Sequence, residues 1–93
     1  MDFEFYRNFI TVAETGNLTT ASKKLALAQP ALSAQIKTLE HYYGAKLIQT
    51  ARGKRQLTLT EAGEAFLGKA RQICRTEETI LLDMQSFNKK ASG

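Results

Sequence analysis

The sequence predicts a mainly α-helical fold: three short helices, a two-stranded hairpin and one long closing helix. Three observations carry this expectation. Apolar residues recur at helical spacing as far as Gly44, and again from Thr60 onward. Between those stretches the period shortens to alternation, as in Gln56-Leu57-Thr58-Leu59. Residues that stop and start helices stand at the joins: Gly16 with Asn17, the single proline Pro30, then Gly44 and Thr60.

Composition sets the limits. The 93 residues suffice for one small core. A hydrophobic content of 43% and a charged content of 24% are those of a soluble globular chain. The start, MDFEFYRNF, carries two acids and no long apolar run, so neither a signal peptide nor a membrane span is expected. Cys74 is the only cysteine and can form no internal disulfide, which fits a reducing cytoplasm. The net charge of +4 is unevenly spread. Residues 17–58 hold seven cations (Lys23, Lys24, Lys37, Lys46, Arg52, Lys54, Arg55) against Glu40 alone, and the remainder is net negative. A basic middle points to a polyanionic partner, with a solvated basic face as the alternative.

The first helix starts at the Asp2 cap and shows an apolar face of Tyr6, Phe9, Ile10 and Ala13 before Gly16 ends it. Asn17 can cap a second helix of about Leu18 to Leu27, with Leu18, Ala21 and Leu25 inward and Thr20, Lys23 and Lys24 outward. Thr19 and Thr20 lie in its first turn, where hydroxyls and free N–H groups hold phosphates; with Asn17 and Lys24 they are candidate backbone contacts. Capping is the competing role for Thr19.

A third helix follows after only Ala26 to Ala28. Pro30 sits in its first turn, where the missing N–H has no partner to lose. Two helices joined so tightly read as a helix-turn-helix. Ala28 is a poor cap, weaker than Ser by roughly 1 kcal/mol. Leu32, Ile36, Leu39 and Tyr43 form the inward stripe. At about 100° per residue, Pro30, Ala34, Lys37 and His41 fall opposite, with Gln29 and Ser33 on the flank. That outward face is small, nearly neutral and hydrogen-bonding, as a helix entering a DNA major groove requires.

Lys46 to Thr50 and Gln56 to Leu59 are expected to pair as strands around Ala51-Arg52-Gly53-Lys54-Arg55. A tip with three cations suits a wing that follows a DNA backbone or enters a narrow minor groove. From Thr60 to about Asn88, Phe66, Ala70, Ile73, Glu77, Ile80, Met84 and Phe87 alternate by four and three residues, a heptad seam with one charged intruder, Glu77. Such a helix, roughly 40 Å long, outreaches a domain of this size, so the seam is expected to pair with a second copy. Domain limits are set at 1–59 and 60–93, with 89–93 as a frayed tail.

The strings FITVAETGNLTTASKKL (9–25), AQPALSAQIKTLEHYYGAKLI (28–48) and LTLTEAGEAFL (57–67) resemble the amino-terminal DNA-binding domain of LysR-type transcriptional regulators. The resemblance implies a winged helix-turn-helix, a linker helix that pairs in a homodimer, and a tetramer for the whole protein. It also implies that a larger effector-binding domain is missing here, and with it any small-molecule effector. By position, Gln29, Pro30 and Ser33 match groove-facing residues, and Gln35 and Lys37 match positions that touch backbone or bases. Arg52, Lys54 and Arg55 match the wing. This chain departs from the pattern at Ala28, where Ser is usual, and at Ala34 and Thr50, where Arg is frequent. An apolar touch of Ala34 on a thymine methyl is one replacement.

No spacing of Cys, His and acids suggests a metal site, a cofactor or an enzyme, and His41 is expected at the surface. Two functions from different classes remain. One is sequence-specific binding of duplex DNA at an inverted-repeat operator. The other is a coiled-coil association module with nonspecific nucleic-acid binding. RNA readers stack bases on exposed aromatics, whereas Phe5, Tyr6, Phe9, Phe66 and Phe87 mostly fall on apolar stripes.

Overall fold

A computed structural model describes residues 2–50 and 56–92. The order is α1 (Phe3–Thr15), α2 (Leu18–Leu25), α3 (Gln29–Tyr43), β1 (Ile48–Thr50), β2 (Leu57–Leu59) and α4 (Glu61–Ser92). The wing tip expected at Arg52, Lys54 and Arg55 lies outside the described residues.

The joins are built as their residues dictate. The Asp2 carboxylate accepts from the Glu4 N–H, and Gly16 closes α1 at φ 66°. The Asn17 side chain accepts from the Thr20 N–H at the head of α2. Helix α2 stops at Leu25, two residues before the expected Leu27, because Ala26 turns left-handed at φ 54°. The N–H groups of Ala26 and Leu27 then bond back to the carbonyls of Lys23 and Ser22. An alanine bears that conformation at a cost of about 1–2 kcal/mol. As expected, Ala28 makes no capping bond for α3.

One core of Phe9, Val12, Ala21, Leu32, Ile36, Leu39, Leu47 and Leu57 is completed by the half-buried Ile48 of β1 and by Phe66 and Leu67 of α4. Each large side chain in it contributes about 1.5–3 kcal/mol. Val12 is buried while Tyr6, Ile10 and Ala13 are half-buried, because α1 is covered by α4 on one side and by α2 and α3 on the other. Tyr43, expected on the inward stripe of α3, is half-exposed instead. It lies at the edge of the core, with its ring against Phe66 and its hydroxyl 2.5 Å from that of Tyr6.

The strands pair antiparallel, Ile48 with Leu59 and Thr50 with Leu57. Leu57 is buried and Thr58 exposed, as the alternation requires. The Leu57 N–H donates to the Gly16 carbonyl at 2.9 Å, tying the wing to the turn between α1 and α2. Thr60 accepts from the Gly63 N–H and donates to the Lys46 carbonyl, so the foot of α4 is capped and bound to the wing together. A Cβ on Gly63 would stand 2.0 Å from the Leu47 carbonyl oxygen; only glycine permits that approach.

Helix α4 corrects the seam. Phe66 packs on Phe9, Tyr6 and Tyr43 of its own chain, and Ala70 is 1% exposed within the same molecule. These two residues are therefore covered by the chain's own α1 and are not free for a second copy. Ile73 is half-buried at the edge of the same contact. Glu77, the charged intruder, pairs with Arg7, which also reaches Glu4 at 2.9 Å. The physical reason is length: α1 can cover only the first turns of so long a helix. Beyond Glu77 the stripe emerges, with Ile80, Met84 and Phe87 all exposed. Phe66 and Leu67 of α4 pack against the core of the preceding elements, and the helix runs on to Ser92, past the frayed tail expected from 89.

Candidate nucleic-acid interface

The first two turns of α3 present one side to the core and the other to solvent. Leu32, Ile36 and Leu39 are buried, whereas Gln29, Pro30, Ala34 and Lys37 are exposed and Ser33 is half-buried beside them. Five of the six groove candidates thus share an accessible side that carries one cation and no large group. Gln35 does not belong to it. Its side-chain carbonyl accepts from the Asn8 amide at 2.7 Å, within the contact between α3 and α1. Asn8 is 3% exposed, so this bond holds a polar group that burial would otherwise penalise.

The second helix meets this side across the turn. Thr19, Thr20, Lys23 and Lys24 are exposed around it. Asn17 and Thr20 partly satisfy each other, since the Asn17 side chain takes the Thr20 N–H at 2.9 Å. The Thr19 hydroxyl donates to the Gln29 side-chain carbonyl at 3.1 Å, linking the two helices at the surface.

Two residues that sequence reasoning passed over shape the other flank. Glu40 accepts from the N–H groups of Leu47 and Ile48, fixing the path from α3 into β1. That path opens a cleft of about 300 Å³ lined by Ser33, Lys37, Lys46 and Thr50 among others. Lys46 therefore joins Lys37 beside the outward face. Its sign was legible in the sequence, but its position depends on the turn that Glu40 holds.

Shifted acidities lie elsewhere. The Tyr6 phenol is pushed up to about 12 by its hydrogen bond with Tyr43 and by burial. Burial pushes the Cys74 thiol up, against the opposing pull of Arg7. Such a thiol is a poor nucleophile. Cys74 is buried within its own chain. Among the described residues no group of His, Cys, Asp or Glu could hold a metal ion. His41 is exposed, as expected. Among them, too, no helix is long and apolar enough to cross a membrane.

Two short helices around a tight turn, the second with its leading side bare, followed by an antiparallel hairpin, define a winged helix-turn-helix. The chain belongs to the lysR family of bacterial regulatory helix-turn-helix proteins, whose family model matches residues 3–64. It is 39% identical over its whole length to the HTH-type transcriptional regulator BsdA of Bacillus subtilis, covering 32% of that protein. Over 88% of its length it is 42% identical to the Hca operon transcriptional activator HcaR of Escherichia coli, covering 27% of it. The chain therefore spans about a third of the length of these relatives. Among solved structures, that of the CbnR DBD–DNA complex superposes with a TM-score of 0.86 at 35% identity, over 92% of this chain and 97% of that one. The BenM DBD bound to benA site 1 DNA gives 0.84 at 31% identity, over 94% and 99%.

Proposed function

We propose that this chain binds duplex DNA sequence-specifically as the reading head of a homodimeric transcriptional regulator. The bare side of α3 lies in the major groove, and the wing cations Arg52, Lys54 and Arg55 turn toward the minor groove. Gln29, Ser33 and Lys37 offer hydrogen bonds to base edges, while Pro30 and Ala34 allow close approach and apolar contact with thymine. Lys24, Thr20 and Lys46 sit where phosphates flank such a helix. Gln35 serves the reading indirectly, by seating α3 on α1 through Asn8.

One observation carries this reading: the exposed side of the first two turns of α3 is slender and nearly uncharged, between cationic flanks. Related regulators are held on DNA in solved complexes of the same fold, which supports the same partner here. Two-fold pairing through the exposed second half of α4 makes the operator an inverted repeat. In the whole protein a larger effector-binding domain follows, and the assembly is tetrameric. The role is non-enzymatic and cytoplasmic.

The test is selection of bound duplexes from a random pool, followed by titration against salt. A recovered inverted repeat, with loss of preference of about 1–3 kcal/mol per base contact in Gln29→Ala or Ser33→Ala, is the expected result. An association module with only electrostatic affinity would bind all duplexes alike and would overturn the reading.

A further inference from the structure

The loop that leads from α3 into β1 is wrapped around one residue. The Glu40 main-chain carbonyl accepts from the N–H groups of Gly44 and Ala45, the latter at 3.1 Å. One oxygen of its carboxylate accepts from those of Leu47 and Ile48, at 2.8 and 3.4 Å. Four backbone donors, two before Lys46 and two after it, thus go to Glu40. From the foot of α4, the Thr60 hydroxyl and N–H donate to the carbonyls of Lys46 and Leu47, at 2.5 and 3.0 Å. Lys46, held at the centre of this loop, is itself exposed. Among the described residues neither it nor Lys37 forms an ion pair.

By charge alone, Glu40 is out of place beside a surface for a polyanion. It lines the cleft between α3 and β1, with Ser33 and Lys37 on one wall and Lys46 and Thr50 on the other. When α3 lies in the major groove and the wing turns toward the minor groove, the strand that parts the two grooves crosses between helix and hairpin. That path runs over this cleft. We propose that the cleft seats one phosphate of that strand, and that Glu40 is the positioning residue that holds Lys46 to it. This assignment rests on the duplex reading given above. The carboxylate does its work through the backbone: it orders the loop before DNA arrives. Without it the loop would have to be ordered on binding, which weakens association.

Binding of the intact chain to its selected duplex is titrated against salt for the wild type and for variants at the two positions. Lys46→Ala is expected to weaken all duplexes alike and to make the salt slope shallower by about 1, the mark of one lost phosphate contact. Glu40→Ala adds a net positive charge, so attraction alone would tighten binding. The expected result is the opposite: weaker binding, the same shallower slope, and no further loss when Lys46→Ala is added. Glu40→Gln keeps an acceptor for the two N–H groups without the charge, and is expected to restore the wild-type slope. Glu40→Asp keeps the charge but falls one methylene short of the loop; it is expected to lose affinity too, and stands in if Glu40→Ala does not fold. An unchanged slope in Lys46→Ala would overturn the seat. Wild-type affinity in Glu40→Ala or Glu40→Asp, or losses that add in the double variant, would overturn the positioning role. A wild-type chain that ignores duplexes would overturn the DNA reading itself, and the inference with it.

Discussion

Ala70 and Ile80 lie on one stripe of α4, three turns apart, and meet opposite surroundings. Ala70 is 1% exposed and Ile80 is 54% exposed. The first half of the helix turns Phe66, Ala70 and Cys74 toward its own chain, where they are buried or half-buried. Near the middle of the helix Glu77 pairs with Arg7 of α1. The second half carries Ile80, Met84 and Phe87, bulky groups that stay at least half exposed among the described residues. Heptad spacing tells which side of a helix is apolar. It does not tell whether the cover comes from the same chain or from another.

The difference can be broken most decisively at Ala70. Ala70→Asp puts an unpaired carboxylate into a closed contact and is expected to destabilise the fold by about 3 kcal/mol or more. Thermal melting followed by circular dichroism reads this, and a normal melt would show that α4 is not seated on α1. At Ile80 the same change is expected to spare the fold and shift the molecule toward monomer, as measured by sedimentation. A dimer that survives Ile80→Asp would move the pairing surface elsewhere.

A smaller effect sharpens the boundary between the halves. Arg7 and Glu77 are partly exposed, so Glu77→Gln should cost no more than about 1 kcal/mol, fading with added salt. A larger and salt-independent loss would extend the docked half beyond Glu77. The smallest is confined to alkali. The Tyr6 phenol, bound to Tyr43 beside Phe66, titrates near 12 rather than 10 in the folded chain. Its contribution is therefore complete below pH 10 and is lost as the pH rises toward 12. Tyr43→Phe should flatten melting temperature against pH across that window; identical profiles would detach the phenol pair from the seating of α4.

Local chemistry was the legible part. Gly16, Asn17 and Pro30 act within a few residues of themselves, and each stands where it was expected. The strands form in the alternating stretches, although β1 starts at Ile48 rather than at Lys46. Residues that serve across the chain were misjudged. Gln35 meets Asn8, and Glu40 meets Leu47, partners whose nearness exists only after folding. Phe66 and Ala70 were given to a second copy because a repeat carries no label for its partner. Ala26 gave no warning either, since its left-handed backbone is usually a glycine's. Of the groove-facing set, the exposed small residues were read correctly as exposed, because an outward position follows from the helical period alone.

Gly63 sits hard against the Leu47 carbonyl, at the foot of a helix of 32 residues. With the Arg7–Glu77 pair, that close approach fixes the docked half of α4 at both ends. The residues beyond Glu77 project about 22 Å past that seat. The separation of the two heads in the proposed dimer is thereby set by a stiff helix rather than by slack in the chain.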